Sequence, residues 1–233
     1  MSLILNIETA TEVCSVCFAR DGEIIAIRES FEGKTHAKLL TVFIEELLEE
    51  NNLRVTDFDA IAVSMGPGSY TGLRIGVSAT KGLSYAADLP LIAVSTLQSL
   101  ALGVSNRKEI KMNDNTWVCP MIDARRMEVY TAFFNAENES KSEISADIID
   151  ENSYLDILNE RQVVFCGNGA SKCKSSITHK NALFIDDVEC SSRFMASLAE
   201  QAFLKSDFVD LAYFEPFYLK NFVATIPRKN IFK

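Results

Sequence analysis

The chain has 233 residues, 48% of them hydrophobic, which is enough to bury the core of one large domain or two small ones. Its net charge of −9 at pH 7 argues against a chain that holds a nucleic-acid backbone by itself. No apolar run approaches the roughly 20 residues of a membrane-spanning helix. The N-terminus enters a strand without the basic segment of a signal peptide, and six scattered cysteines fit reduced thiols. We therefore expect a cytoplasmic protein.

The first part of the chain predicts three strands and a helix. The strands cover 3–8, 13–20 and 23–30, and Asp21-Gly22 is a strong hairpin signal between the last two. The helix covers 35–50 and has one apolar stripe. Its last two turns carry four acidic residues, which is the unfavourable sign at a helix C-terminus: Glu45, Glu46, Glu49 and Glu50. This run predicts either a solvated face or a surface that meets a basic partner.

A buried strand, a glycine-rich loop and a long helix form the centre of the sequence. The strand is predicted at 60–64 and the helix at 70–87, with Gly66-Pro67-Gly68 between them. The loop matches neither the P-loop nor the dinucleotide-binding pattern, because neither the Lys-Ser/Thr pair nor the third glycine is in place.

Three glycines lie inside that helix, and each should cost about 1 kcal/mol relative to alanine. Gly72, Gly76 and Thr80 lie four residues apart on one face, where another backbone can approach closely. Two alternatives remain open for that backbone. It belongs either to a second chain or to this chain's own sheet.

The rest of the chain repeats the same plan of hairpin strands followed by alternating helices and strands. A polar stretch at 105–115 marks a boundary between two units. We predict an N-terminal subdomain at 1–104, a smaller C-terminal subdomain at 105–213 and a tail at 214–233. The predicted elements are a strand at 91–94, a helix ending near 102, strands at 117–122 and 127–134, a helix at 154–158, strands at 163–165 and 182–185, and a helix at 193–205.

Five blocks of this sequence resemble the TsaB (YeaZ) family, and the match covers nearly the whole chain. They are Leu5-Asn-Ile-Glu-Thr-Ala-Thr11, Ser64-Met-Gly-Pro-Gly-Ser-Tyr-Thr-Gly-Leu-Arg74, Ala93-Val-Ser-Thr-Leu97, Met121-Ile-Asp-Ala-Arg-Arg126 and Pro216-Phe-Tyr-Leu219. The resemblance implies two actin/Hsp70-like (ribonuclease H-like) α/β subdomains, each a mixed sheet with helices, the second reduced. It also implies a subunit of the bacterial machinery that makes threonylcarbamoyladenosine at position 37 of tRNAs reading codons that begin with A.

The same resemblance implies partners and a division of labour. The partner would be the catalytic paralogue TsaD, the ATPase TsaE would complete the complex, and tRNA would be met only through that complex. The paralogue binds its metal through two histidines one helical turn apart. Those positions are Thr96 and Leu100 here, which cannot replace imidazoles. We therefore expect no metal and no catalytic residue in this chain.

Candidate nucleotide-binding residues lie in two turns. Glu8 stands in the acidic place of the phosphate hairpin of actin-like folds, but the turn through Thr9 and Thr11 lacks a glycine. Gly167-Asn168-Gly169 is either a second nucleotide loop or a strand-to-helix turn. We expect no required cofactor and at most weak ATP or ADP binding at or near the partner interface.

The candidate partner interface comprises the glycine-bearing helix and the helix before it, through His36, Leu39, Gly72, Gly76, Thr80 and Leu83. His36 is predicted to be a helix-terminal or interface residue. Alone, the same surface would pair with itself as a homodimer. The alternative function is a stand-alone actin-fold ATP-binding enzyme, namely an ATPase, a kinase or a metallopeptidase.

Overall fold

The computed structural model describes residues 1–33, 35–105, 107, 110 and 112–220. Within them lie two five-stranded mixed sheets. The first has the strand order β3 (Glu23–Ser30), β2 (Cys14–Arg20), β1 (Leu3–Glu8), β4 (Ala60–Gly66), β5 (Leu91–Ser95). The second has the order β10 (Ala182–Phe184), β9 (Gln162–Cys166), β6 (Thr116–Asp123), β7 (Glu128–Thr131), β8 (Ser145–Ile148). Each order places an antiparallel hairpin pair on one side of the unit's first strand and two parallel strands on the other. The predicted fold class, two related α/β subdomains with the second reduced, is confirmed.

The first sheet carries the long helices. Its alternating strands send Leu3, Leu5 and Ile7 towards one face and Ile4 towards the other, as the two-residue period of a strand requires. The first face packs against two helices whose apolar stripes include Leu40 and Val77. The elements are β1 Leu3–Glu8, β2 Cys14–Arg20, β3 Glu23–Ser30, α1 His36–Asn51, β4 Ala60–Gly66, α2 Tyr70–Ala87 and β5 Leu91–Ser95.

The second sheet has shorter cover. It comprises β6 Thr116–Asp123, β7 Glu128–Thr131, β8 Ser145–Ile148, β9 Gln162–Cys166 and β10 Ala182–Phe184, with α4 Leu155–Glu160 before β9. A three-residue 3-10 turn, Ser171–Cys173, follows β9 where α2 follows β4 in the first unit. The sequence did not predict β8, a four-residue edge strand whose single large apolar side chain, Ile148, is 75% exposed.

Two helices each pack against the sheet of the other predicted subdomain. The helix α3, Thr96–Ser105, packs Leu97 and Leu100 against the second sheet. The helix α5, Ala196–Leu204, packs Ala199 against the first sheet. The boundaries at 104 and 213 therefore cut across the packing. The tail described to residue 220 also contacts the first unit, and Arg228 and Lys229 lie outside the described residues.

In both sheets the parallel strands end at one edge, which brings chain reversals with polar residues together. In the first unit this edge contains the β1–β2 turn and the β4–α2 loop; in the second it contains the β6–β7 and β9 loops. None of the helices in the described part of the chain combines the length and apolar character needed to cross a membrane.

Candidate functional site

The glycine face of α2 is buried against the chain's own β1–β2 turn. A Cβ at Gly72 would overlap the carbonyl oxygen of Thr9, and a Cβ at Gly76 would overlap Thr9 Oγ1. That hydroxyl donates a hydrogen bond of 2.8 Å to the Gly72 carbonyl. Thr80 is fully buried, and its Oγ1 donates to the Gly76 carbonyl at 3.0 Å.

These contacts correct one part of the predicted interface. Gly72, Gly76 and Thr80 do permit close approach, but the approaching backbone is the turn at Thr9. They cannot at the same time form an open face for a second chain, because their face is already filled. Of the two alternatives that the spacing left open, the structure favours intramolecular packing.

Glu8, the last residue of β1, has a fully buried carboxyl group. Its Oε1 accepts hydrogen bonds from the Ala10 amide at 2.6 Å and from Ser64 Oγ at 2.7 Å. Its Oε2 has no hydrogen-bond partner among the described residues. Burial raises the pKa of Glu8 to about 7, although these two hydrogen bonds act in the opposite direction.

The β1–β2 turn directs its polar groups inward. The Ala10 amide is engaged by Glu8, and the Ala10 carbonyl accepts from the Ser69 amide at 2.6 Å. Gly68 lies so close to that carbonyl that a Cβ there would overlap it. Thr9 and Thr11 are buried as well. The structure thus brings Glu8, Thr9 and Thr11 together, and their nucleotide-binding role stays a prediction.

The loop at Gly167, Asn168 and Gly169 is tied to the end of β6. Gly167 has φ +92°, and a Cβ on it would lie 2.6 Å from the Met121 carbonyl oxygen. The Gly169 amide donates to that carbonyl at 2.9 Å, and Asn168 Oδ1 accepts from the Asp123 amide at 3.0 Å. The glycines are explained by this close packing, and a nucleotide-binding role for the loop also stays a prediction.

Thr96 and Leu100, the predicted counterparts of the paralogue's histidines, both have a structural role. Thr96 Oγ1 accepts a hydrogen bond of 3.1 Å from the Gly66 amide. Leu100 is buried between α3 and the second sheet. Across the described residues, no group of three His, Cys, Asp or Glu side chains is placed to hold a metal ion.

A groove of about 1000 Å³ lies between α1 and α2 on the outer side of the first subdomain. Its wall includes Leu83, one of the predicted interface residues. His36 is instead buried at the start of α1, with Nε2 3.1 Å from the Val13 carbonyl oxygen, and Leu39 is partly buried against the core. The groove residues are Thr41, Ile44, Glu45, Leu48, Glu49, Asn52, Leu53, Arg54, Val55, Ser78, Ala79, Gly82 and Leu83.

Gly82 is a groove residue to which the sequence assigned no role. Apart from its two chain neighbours and the nearby backbone of its own helix, no atom of the described chain lies within 4 Å of a Cβ added to Gly82. Gly82 lies six residues after Gly76, so it does not share the helix face on which Gly72, Gly76 and Thr80 lie four residues apart. The sequence alone could have indicated a role for Gly82, since a glycine in the interior of an exposed helix is unfavourable unless something requires it.

The repeated strand order and crossed helices define the class: a two-subdomain actin-like α/β protein. The family described as "TsaD: tRNA N6-adenosine threonylcarbamoyltransferase" matches residues 27–227. Two relatives named "tRNA threonylcarbamoyladenosine biosynthesis protein TsaB" are similar over 95% of this chain. The one from Haemophilus influenzae is 31% identical with 94% of its length covered, and the one from Escherichia coli K12 is 32% identical with 96% covered.

A solved structure agrees with these sequence matches. YeaZ from Pseudomonas aeruginosa superposes with a TM-score of 0.80 at 26% identity, covering 94% of this chain and 100% of that one. The chain belongs to the TsaB (YeaZ) family, within the wider group that includes TsaD.

Proposed function

We propose that this chain is a non-catalytic assembly subunit of tRNA threonylcarbamoyladenosine biosynthesis that acts by pairing with the catalytic paralogue TsaD. Its membership of the TsaB family assigns it to this biosynthesis. The proposal adds the mode of action. The chain holds its partner and leaves the transfer chemistry to it, TsaE completes the assembly, and tRNA is met in the cytoplasm through the complex.

The observation that carries this proposal is the groove between α1 and α2. It has an apolar floor that includes Ile44, Leu48 and Leu53, and the long helices beside it belong to the subdomain that was not reduced. Apolar surface of this kind marks an interaction site more often than a random patch does. Without TsaD, we expect the same groove to pair two copies of this chain around a twofold axis.

The residues at the catalytic positions support a non-catalytic role. A threonine hydroxyl bonded to the Gly66 amide and a buried leucine offer no imidazole for a metal. The turn at Glu8 uses its own amides internally, so it offers few donors to a phosphate group. We accordingly expect no required cofactor, and only weak ATP or ADP binding near the partner interface.

Co-purification with TsaD, with and without nucleotide, tests the pairing. We expect a stable heterodimer, and a mixture that elutes as separate species would contradict it. An ATPase assay and elemental analysis of the isolated chain test the enzyme alternative. Turnover above background, or about one zinc or iron per chain that survives dialysis against chelator, would favour that alternative.

A further inference from the structure

The turn between β6 and β7 presents two adjacent arginines, Arg125 and Arg126. We call residues 124–127 the arginine turn. Both arginines are exposed, and neither guanidinium forms an ion pair or a hydrogen bond within the described part of the chain. Because the chain has 32 acidic residues and a net charge of −9, two neighbouring cations without an acidic partner require an explanation.

The two carboxylates that flank the arginine turn in the sequence are engaged elsewhere. Asp123 at the end of β6 pairs with Lys172, and Glu128 at the start of β7 pairs with Lys220. Lys172 Nζ also donates a hydrogen bond of 2.7 Å to the Glu128 carbonyl. Lysines from distant parts of the chain thus neutralise the acids next to the turn, and the two guanidinium groups stay available to an anion from outside.

The backbone of the arginine turn is unfavourable for arginine. Arg125 has φ 73° and Arg126 has φ 51°, both in the left-handed region. Among the described residues they are the only two consecutive non-glycine residues with positive φ, and most of the others are Asn or Asp. Turns with this backbone are usually formed by Asn and Gly. The fold therefore does not account for the choice of arginine.

Hydrogen bonds at its base hold the arginine turn in one position. The Ala124 amide donates to the Glu128 carbonyl at 3.1 Å, and the Arg125 amide donates to Asp123 Oδ1 at 2.9 Å. The Asp123 amide is bound in turn by Asn168 Oδ1 at 3.0 Å. A turn that is ordered before binding loses less entropy when a ligand arrives.

Phosphate is the anion that fits this arrangement. The planar guanidinium group binds phosphate oxygens through two parallel hydrogen bonds, and adjacent arginines can meet neighbouring phosphates of one strand. The acidic remainder of the chain opposes nucleic-acid binding by the isolated protein. Such a contact therefore requires that another protein hold the nucleic acid. The relatives named TsaB take part in a biosynthesis whose product is a tRNA nucleoside.

We propose that Arg125 and Arg126 bind backbone phosphates of the tRNA while TsaD holds it for modification. This inference rests on the proposed function and adds a direct contact between this chain and the tRNA. Phosphate contacts fix the position of a nucleic acid without reading its sequence. The two arginines should therefore affect all substrate tRNAs alike.

The first test removes the two charges and measures tRNA binding to the complex of this chain with TsaD, by fluorescence anisotropy at several salt concentrations. Arg125→Gln with Arg126→Gln should weaken binding about tenfold at low salt, and should reduce the slope of the logarithm of the binding constant against the logarithm of salt by roughly 1 to 2. The matched control, Arg20→Gln with Lys205→Gln, removes two charges from exposed residues outside the turn. It should stay within about twofold of the wild type.

The second test separates the arginine side chains from the fold of the turn. Arg125→Asn with Arg126→Gly should raise the thermal midpoint of the isolated chain, because these residues suit the left-handed backbone, and should weaken tRNA binding as the glutamine variant does. Arg125→Lys with Arg126→Lys should retain most of the salt dependence but bind about threefold more weakly, since lysine lacks the planar fork. A lowered midpoint of the Asn-Gly variant with normal tRNA binding would overturn the inference.

Titration calorimetry with TsaD separates this inference from the proposed function, because all these variants should join TsaD as the wild type does. If the wild-type chain does not bind TsaD, both fall. If the complex forms but does not bind tRNA, or if the glutamine variant binds tRNA no more weakly than the matched control, only this inference is overturned. If the glutamine variant loses affinity for ATP and not for tRNA, the phosphate belongs to a nucleotide and the inference is wrong.

Discussion

The two subdomains share a strand order but differ in what covers their sheets. In the first, α1 and α2 contain 16 and 18 residues. At the equivalent places of the second stand α4, with six residues, and a 3-10 turn of three. Aromatic rings fill part of the space there: Tyr154 lies 5.1 Å from Phe133, and Phe165 lies 5.0 Å from Phe184, between ring centroids. The second sheet is thus covered by shorter elements and aromatic side chains, whereas the two long helices on the first sheet also line a groove.

The first strand of each unit ends in a carboxylate, and the two are treated oppositely. Glu8 ends β1 and is fully buried, whereas Asp123 ends β6 and its side chain is 47% exposed. Asp123 pairs with Lys172 at the surface, while no cation is paired with Glu8 among the described residues. The last residue of the first strand is thus an exposed, ion-paired carboxylate in the second unit and a buried acid in the first.

The largest effect on stability is expected from a substitution at the contact between α2 and the β1–β2 turn. Gly76→Leu should lower the free energy of unfolding by more than about 3 kcal/mol, because four added carbon atoms would meet the buried Thr9 side chain. Urea denaturation of the isolated chain measures this, with Gly82→Leu as the matched control on the same helix. Equal stability of the two variants would mean that Gly76 is not packed more tightly against the β1–β2 turn than Gly82 is against its surroundings.

The buried acid predicts a pH dependence. The folded pKa of Glu8 is about 7 against an ordinary value of 4.5, so the folded state holds the proton more tightly. The contribution of Glu8 to the free energy of unfolding is fully present below about pH 4.5 and is lost as the pH rises to 7. The loss amounts to roughly 3 kcal/mol. The stability of Glu8→Gln relative to the wild type should therefore rise over this range and level off above it.

The equivalent carboxylate supplies the control for that pH experiment. Asp123→Asn makes the same carboxylate-to-amide change at an exposed group paired with Lys172. Chemical denaturation at several pH values compares the three proteins. A flat difference between Glu8→Gln and the wild type would contradict the buried, proton-holding state of Glu8.

A smaller change in stability is expected from substituting Gly82. Gly82→Ala should raise the unfolding free energy of the isolated chain by up to about 1 kcal/mol, since alanine suits a helix interior and its methyl group meets nothing. The thermal midpoint measures it. A lowered midpoint would show that this face of α2 is not open in the isolated chain.

The smallest effect concerns the tail that reaches from the first unit to the second. Lys220 pairs with Glu128 at the start of β7, and its own side chain is 43% exposed. Lys220→Ala should reduce stability by less than about 1 kcal/mol, as exposed ion pairs do. A loss comparable to that of Gly76→Leu would mean that this pair, and not helix packing, holds the two units together.

Elements with strong periodicity were predictable from the sequence, but tertiary partners were not. The predicted helix at 70–87 agrees with the structure, because apolar spacing and the absence of proline define it locally. The exchange of α3 and α5 between sheets was missed, since amphipathic spacing does not say which sheet a helix covers. Likewise the spacing of Gly72 and Gly76 predicted close approach, but only the folded chain identifies Thr9 as the neighbour.

Reconstituted tRNA modification tests the central claim most directly. Substrate tRNA and threonylcarbamoyl-adenylate are incubated with this chain alone, with TsaD alone, and with both, and threonylcarbamoyladenosine is quantified by mass spectrometry of digested tRNA. We predict no product above the no-protein control for this chain alone, and efficient formation only when both proteins are present with the remaining components. Product formed by this chain alone, or equal yield from TsaD without it, would contradict a required non-catalytic partner.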